Sequence, residues 1–147
     1  MEYLTEIKVR GYHADFYGHV NNARYLEFLE EDRWAHLESK IDLKNWASLG
    51  LVFLVVNINV NYRKAVAVGE ILQLSTKLDS VGNRSAILRQ EIRLKRTGET
   101  AADALVTFVI RDKGGRAVAM QGALLEEIKK IGKPTDGKGE IGKNSSV

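Results

Sequence analysis

The segment NARYLEFLEEDRWAHLE, residues 22–38, predicts one long amphipathic helix early in the chain. The residues that recur on one stripe at helical spacing are Leu26, Leu29, Arg33 and Leu37. Tyr25 and Trp34 widen that stripe. A polar side is supplied by Glu27, Glu30, Glu31 and Asp32. Asn21 or Asn22 can cap the first turn through its side-chain oxygen, so the helix is expected to begin there.

Strand-like segments lie on both sides of this helix. Residues 3–12 alternate well enough for a first strand, and residues 13–21 form a loop. After a second loop near residues 39–50, the predicted strands are residues 51–63, 70–81, 85–96 and 100–111. Within the first of these, Val56, Ile58, Val60 and Tyr62 are expected to face one way, opposite to Asn57, Asn59, Asn61 and Arg63. A short helix containing Leu124, Leu125, Ile128 and Ile131 closes the domain.

This order predicts an α+β fold in which an antiparallel sheet of about five strands wraps around the long helix. The helix stripe is then buried against one sheet face. The other face and one sheet edge stay open, which favours self-association.

The composition of the 147 residues indicates one domain, residues 1–131, followed by a flexible basic tail, residues 132–147. The tail carries the excess positive charge, because basic and acidic residues are equal in number over residues 1–128. We therefore expect no nucleic-acid partner. No apolar run is long enough to insert into a membrane, the first residues lack a signal-peptide pattern, and no cysteine is present. The expected compartment is the cytoplasm.

The densest polar cluster precedes the long helix and consists of His13, Asp15, Tyr17, His19, Asn21 and Asn22. First-turn amides lack intrahelical partners and stabilise a developing oxyanion. A nearby carboxylate can act as a base or nucleophile, so the cluster suits acyl transfer with Asp15 as the carboxylate. From spacing alone, an aspartate shortly before a helix is more often a hydrogen-bonding residue of the loop than a catalytic one. Histidines six residues apart on a loop do not form a known metal spacing, so we expect no metal and no other cofactor.

The stretch VRGYHADFYGHVNNARYLE, residues 9–27, resembles the signature of the 4-hydroxybenzoyl-CoA thioesterase-like branch of the hotdog-fold proteins. Its core is Asp-x-x-Gly-His-Val-Asn-Asn followed by Ala-Arg-Tyr-Leu. Residues 57–63 are similar to the long second strand of that family, and residues 82–85 to its Gly-x-x-Ser hairpin. The resemblance covers roughly residues 5–130 and is strongest to the bacterial long-chain acyl-CoA thioesterases.

The resemblance implies a role for several residues of this chain. Asp15 matches the catalytic carboxylate, which either attacks the thioester or activates water. Asn22 matches the position whose backbone N–H binds the thioester oxygen, and His19 matches a histidine held close to the site. Arg84 and Ser85 match a hairpin that can reach the site from a neighbouring subunit. From residue chemistry rather than from the resemblance, Tyr25 is expected to pack in the core and can also line an acyl tunnel. Arg63, Lys64 and Arg84 can meet the CoA phosphates. Many relatives place a proline soon after the residue matching Arg63, whereas this chain continues Lys64-Ala65-Val66.

The function implied is hydrolysis of fatty acyl-CoA, with long chains preferred, to free fatty acid and CoA by a homodimer or homotetramer. Three alternatives stay open: a thioesterase for acyl-carrier protein, one for short or aromatic acyl-CoA, and a non-catalytic acyl-CoA-binding protein of the same fold.

Overall fold

A curled antiparallel sheet and one long helix form most of the computed structural model, which describes residues 5–132. In chain order the elements are β1 (Thr5–Lys8), α1 (Asn22–Lys40), α2 (Leu43–Ser48), β2 (Val52–Tyr62), β3 (Ile71–Val81), β4 (Ala86–Leu94), β5 (Thr100–Arg111) and α3 (Gly122–Lys129). The five strands are ordered β1-β3-β4-β5-β2, and all neighbours are antiparallel. The predicted tail lies outside the described residues, apart from Gly132.

The inner face of the sheet and the apolar face of α1 form the core. Leu29 and Leu37 of α1 are fully buried, and so are the inner-face side chains of the central strands, Leu72, Leu74, Leu78, Leu88, Ile92 and Val106. Each such side chain contributes about 1.5–3 kcal/mol through removal of its apolar surface from water. The predicted α+β architecture, a sheet of five strands around one central helix, is confirmed.

Two predicted segments differ locally from the structure. The expected loop at residues 39–50 contains α2, whose first turn is capped by the Asp42 side chain accepting from the Asn45 N–H at 3.0 Å. A six-residue helix is too short to show periodicity in the sequence. Of the first strand, predicted over residues 3–12, the described residues contain Thr5–Lys8, and the chain then forms a single 3₁₀ turn at Gly11–His13. Residues 3 and 4 lie outside the described residues.

The buried face of α1 is rotated relative to the predicted stripe. Asp32, assigned to the polar side, is 0% exposed, because Thr76 supplies it with a hydrogen bond inside the core. Leu26 and Trp34, assigned to the stripe, remain 37% and 39% exposed. The sequence could not show this rotation, because a polar residue enters a core only where a partner awaits it.

Strand β2 contains a bulge that alters the predicted alternation. Val55 pairs with Phe108 and Asn57 with Thr107, so Val56 is the extra residue and its side chain is exposed. Ile58, Val60 and Tyr62 keep the predicted common face. No helix within the described part of the chain is long and apolar enough to cross a membrane.

Candidate active site

A tight turn presents Asp15 ahead of α1. The Gly18 N–H donates to the Asp15 carbonyl at 3.0 Å, and the Asp15 N–H donates to the His19 carbonyl at 2.9 Å. Gly18 has a φ of +81°, which glycine adopts without the steric cost that other residues incur. The Tyr17 N–H donates to Asp15 Oδ1 at 2.9 Å, so the turn fixes the carboxylate through one of its two oxygens.

The first turn of α1 lies next to this turn. Asn21 is the N-cap: its side-chain oxygen accepts from the Ala23 N–H at 2.8 Å, and its carbonyl accepts from the Arg24 N–H at 2.9 Å. The Asn22 N–H is a first-turn amide with no intrahelical partner, as at every helix start. The sequence prediction that α1 begins at Asn22 with an asparagine cap agrees with the structure.

Both groups open into one cavity of about 450 Å³. Its lining residues are Asp15, Tyr17, His19, Val20, Asn22, Tyr25, Tyr62, Arg63, Lys64 and Ala65. The cavity therefore brings together a carboxylate, a helix N-terminus and a histidine from one continuous stretch of sequence, and joins them to the segment that follows β2. His19 is tied to that segment by a backbone bridge to Ala67.

Two tyrosines connect α1 to the end of β2 at the floor of the cavity. The Tyr25 hydroxyl lies 3.4 Å from the Lys64 carbonyl, and the Tyr62 hydroxyl lies 3.4 Å from the Asn22 carbonyl. Their ring centroids are 5.3 Å apart. Burial, with a smaller effect of Tyr62, raises the pKa of Tyr25 to about 12. Tyr25 therefore stays protonated at neutral pH.

Arg63 reaches the cavity but is already held by an acidic partner. Its Nε and Nη2 both donate to the carboxylate of Asp103, the second at 3.3 Å. Asn61 donates to the same carboxylate at 3.2 Å. The hydrogen bond to Asp103 raises the pKa of Arg63. A CoA phosphate at this position would meet a guanidinium whose charge is partly neutralised.

Arg84 and Ser85 lie at the opposite end of the sheet from the cavity. Ala86, next to Ser85, pairs with Phe108, and Phe108 pairs with Val55, seven residues along β2 from Tyr62. At about 3.4 Å per residue, that separation is on the order of 24 Å. The Arg84 guanidinium donates to the Ala117 carbonyl at 3.1 Å. The structure of one chain therefore does not bring these two predicted residues to the site.

His13 belongs to the core beneath the cavity. Its ring is buried, contacts Phe28 edge-on with centroids 5.0 Å apart, and accepts the Arg10 N–H on Nδ1 at 2.8 Å. Burial, followed by the charge of Arg24, lowers the pKa of His13. His13 thus stays neutral and anchors the loop. Among the described residues, no group of three or more histidine and acidic side chains is placed to hold a metal ion.

Sequence reasoning did not assign Tyr62 to the site, because Tyr62 was expected only to share a face of β2. Lys64 was considered, beside Arg63, as a positive charge for the CoA phosphates. Both lie about 40 residues from Asn22 in the chain, and only the pairing of β2 with β5 brings them back to the start of α1. No local pattern in the sequence marks that proximity.

The sequence and the fold together assign the chain to a known protein family. The sequence profile of the Thioesterase-like superfamily matches residues 9–128. The match covers most of the chain, and the chain belongs to this family. The predicted relationship to hotdog-fold thioesterases is confirmed.

Individual proteins similar to this chain include thioesterases. The chain is 46% identical over 128 residues to the long-chain acyl-CoA thioesterase FadM of Escherichia coli K12, covering 86% of this chain and 97% of that protein. It is similar to the crystal structure of YbaW, a probable thioesterase from Escherichia coli, with a TM-score of 0.83, 46% identity, and coverage of 90% and 100%. A 1,4-dihydroxy-2-naphthoyl-CoA thioesterase from Synechocystis has a TM-score of 0.74 at 17% identity, covering 88% of this chain and 94% of that one, which shows the shared fold alone.

Proposed function

We propose that the protein hydrolyses long-chain fatty acyl-CoA to free fatty acid and CoA, with Asp15 as the catalytic carboxylate. The observation that carries the proposal is that Asp15 and the N-terminus of α1 open into one cavity. The sequence identity of 46% to a long-chain acyl-CoA thioesterase supports the substrate class.

The proposed reaction uses the Asp15 carboxylate and the Asn22 N–H at the start of α1. The thioester carbonyl oxygen accepts a hydrogen bond from the Asn22 N–H, which with the helix dipole polarises the carbon. Asp15 Oδ2, opposite the oxygen fixed by Tyr17, takes a proton from water as the water attacks, or attacks the carbon itself. The oxyanion formed stays on the Asn22 amide, a stabilisation worth on the order of 10²–10³ in rate. The C–S bond then breaks and CoA leaves as the thiolate, which takes up the proton that Asp15 removed from water. Where Asp15 itself attacks, the product is an acyl–Asp15 anhydride, which water then hydrolyses to free fatty acid and the Asp15 carboxylate.

The test is thiol release from acyl-CoA esters, from acetyl to hexadecanoyl, by wild type and Asp15→Asn. We expect wild type to prefer the long chains. Asp15→Asn should lower kcat by about 10²–10⁴, the usual contribution of a general base.

Asp112→Asn is the matched control for this test. The side chain of Asp112 also accepts a backbone N–H two residues ahead, that of Gly114, in a turn remote from the cavity. If both variants retain full activity, Asp15 is a turn residue and the proposed mechanism is wrong. If wild type binds the esters without turnover, the protein is an acyl-CoA-binding member of the fold. Hexadecanoyl-acyl-carrier protein and benzoyl-CoA are assayed beside the panel, and a preference for either of them, or for short-chain esters, would show that the proposed substrate class is wrong.

The active assembly proposed is a cytoplasmic homodimer or homotetramer in which Arg84 and Ser85 of one subunit complete the site of the next. Two features support the assembly. Strand β2 lies at the edge of the sheet with one side open to pairing, and Val56 and Tyr62 on it are exposed. The Arg84 hairpin also lies far from the cavity of its own chain. A two-fold axis perpendicular to β2, beside that edge strand, would pair β2 antiparallel with its copy and bring that end of the sheet towards the partner's cavity.

A further inference from the structure

Strand β2 ends at the candidate active site and is paired on one side only within the described chain. It is the edge strand of the sheet, and its last residue, Tyr62, pairs with Ala102 of β5. The next two backbone N–H groups, of Arg63 and Lys64, both donate to the Ala101 carbonyl, at 2.8 and 3.1 Å. The regular ladder stops there, and a strand end held by so few backbone bonds frays unless side chains hold it.

Asp103, on the outer face of β5, binds the side chains on both sides of Tyr62. Arg63 donates through Nε and Nη2 to its two carboxylate oxygens, and Asn61 donates to Oδ1 at 3.2 Å. Asp103 is only 6% exposed, and hydrogen bonds to an ionised group are stronger where water is largely excluded. Because Asn61 and Arg63 flank Tyr62 in the sequence, Asp103 fixes the backbone on either side of that tyrosine.

Tyr62 itself is loosely packed on the opposite, inner face of the sheet. It is 43% exposed. Its hydroxyl lies 3.4 Å from the Asn22 carbonyl, which is long for a hydrogen bond between two oxygens, and its ring centroid lies 5.3 Å from that of Tyr25. These contacts are weak for so large a side chain. The position of Tyr62 in the cavity therefore depends on the direction of its backbone, which Asp103 fixes from the other face.

The same geometry opposes a phosphate contact for Arg63. A phosphate that drew the guanidinium away would leave the largely buried Asp103 carboxylate with the amide of Asn61 in place of a cation. Breaking such a pair is strongly destabilising, because the remaining charge is no longer compensated. Arg63 is therefore better suited to hold the end of β2 than to bind the nucleotide part of CoA.

We propose that Asp103 is a positioning residue for the hydrolysis. Through Asn61 and Arg63 it holds the end of β2. It thereby sets Tyr62 against the start of α1, where the Asn22 N–H would hold the thioester oxygen. The proposal rests on the proposed function, because it takes the oxyanion to lie at Asn22. Asp103 touches no substrate in this scheme, and its effect on the rate comes from the placing of groups that do, since a shift of about 1 Å can cost about a hundredfold.

Two substrates separate positioning from phosphate binding. Hexadecanoyl-CoA contains the phosphates, whereas hexadecanoyl-pantetheine has the same thioester and acyl chain without them. For Asp103→Asn we expect kcat to fall about ten- to a hundredfold on both esters, with KM within about twofold of wild type. Arg63→Lys should behave alike, because lysine keeps the charge but cannot form the bidentate bond. A loss confined to KM for the CoA ester would make Arg63 a phosphate ligand and overturn the proposal.

Glu91→Gln is the matched control for Asp103→Asn. Glu91 lies directly opposite Asp103 on the outer face of the sheet, is equally buried, and pairs with Arg93 at 2.9 Å. That ion pair lies within β4 and does not involve β2. Glu91→Gln should lower the urea midpoint as Asp103→Asn does, yet leave kcat within about twofold of wild type. Equal losses of kcat in the two variants would reflect a general weakening of the fold and overturn the proposal.

A double-mutant cycle tests whether Asp103 acts through Tyr62, whose side chain lies on the other face of the sheet. Tyr62→Phe removes only the hydroxyl that reaches Asn22. In Asp103→Asn protein that hydroxyl is already displaced, so Tyr62→Phe should lower kcat much less than it does in wild type. The same cycle in urea unfolding should show coupling of at least about twofold in the equilibrium constant. Losses that multiply independently in both cycles would overturn the proposal.

The outcomes separate this proposal from the proposed function. Thiol release by wild type, with full kcat retained in Asp103→Asn, overturns the positioning role and leaves the hydrolase. A wild type that releases no thiol from any ester overturns the hydrolase, and the placing of Tyr62 by Asp103 is then decided by the unfolding cycle alone.

Discussion

Five polar side chains lie buried between α1 and the sheet, at a depth where apolar residues are the rule. They are Asp32, Arg33, His36, Thr76 and Gln90. The Thr76 hydroxyl donates to Asp32 Oδ2 at 2.6 Å and accepts from Gln90 Nε2 at 2.8 Å, while Gln90 Oε1 accepts from Arg33 at 3.1 Å. His36 Nδ1 lies 3.3 Å from Asp32 Oδ1. Asp32 Oδ1 has no hydrogen-bond partner among the described residues, so the network is only partly satisfied and the loss of a further bond is costly.

Thr76→Val removes the central hydroxyl of this network while keeping its shape. Asp32 Oδ2 and Gln90 Nε2 then lose a partner inside the core, and stability should fall by about 1–3 kcal/mol. Urea unfolding measures the loss. Thr107→Val, on the half-exposed outer face of β5, is the control and should stay within about 0.5 kcal/mol. Equal midpoints for the two variants would show that the network contributes nothing.

His13 gives the stability a pH dependence of predictable sign. Because burial lowers its pKa from 6.5, the unfolded chain binds a proton at this residue more readily than the folded protein. The stabilising contribution is therefore complete above about pH 6.5 and is lost as the pH falls towards the lowered pKa. The urea concentration at the unfolding midpoint of wild type should be lower at pH 6 than at pH 8. His13→Asn, whose side-chain oxygen can still accept the Arg10 N–H, should show a smaller fall, and an equal fall would contradict the assignment.

At the scale of elements, the start of α1 affects both the stability of the fold and the proposed reaction. The Asn21 cap fixes where the helix begins, and hence where the Asn22 N–H points. The hydroxyls of Tyr25 and Tyr62 connect this turn to the end of β2, because Tyr25 donates to the Lys64 carbonyl and Tyr62 donates to the Asn22 carbonyl. A helix start that frays would cost folding free energy and would also disturb the proposed oxyanion site.

Asn21→Ala removes the cap and should lower stability by about 1 kcal/mol. It should also lower kcat more than it raises KM, since the oxyanion contact strengthens in the transition state. Asn21→Ser restores a capping oxygen and should recover most of both losses. If Asn21→Ala loses stability but keeps wild-type kcat, the helix start does not contribute to catalysis.

At the scale of the whole molecule, one chain contains the carboxylate and the helix N-terminus but places the Arg84 hairpin at the far end of the sheet. The proposed assembly predicts that the two parts act from different subunits. Asp15→Asn and Arg84→Ala proteins, each impaired alone, should regain activity when unfolded together and refolded as a mixture.

Random mixing of dimers gives about a quarter of the wild-type activity, because half of the dimers are mixed and each mixed dimer has one intact site. Asp15→Asn mixed with Asp15→Asn,Arg84→Ala should regain nothing. Light scattering should give a multiple of the 16.4 kDa chain mass. A monomer, or a mixture no more active than its parts, would place Arg84 outside the site.

Local patterns in the sequence determined the order of elements and the core of the site. The spacing of apolar residues located α1 and the four long strands, because amphipathic periods reflect which face is buried. The stretch from Asp15 to Asn22 indicated the carboxylate and the helix start, since a turn and a cap are local structures that neighbouring residues specify.

Only the tertiary structure decided which distant residues meet. The burial of Asp32 depends on Thr76, the approach of Tyr62 to Asn22 depends on the pairing of β2 with β5, and the distance of Arg84 from the cavity depends on the length of the sheet. Each is a contact, or the lack of one, between residues far apart in the chain. It follows from how the elements pack, and no period or motif within one element records it.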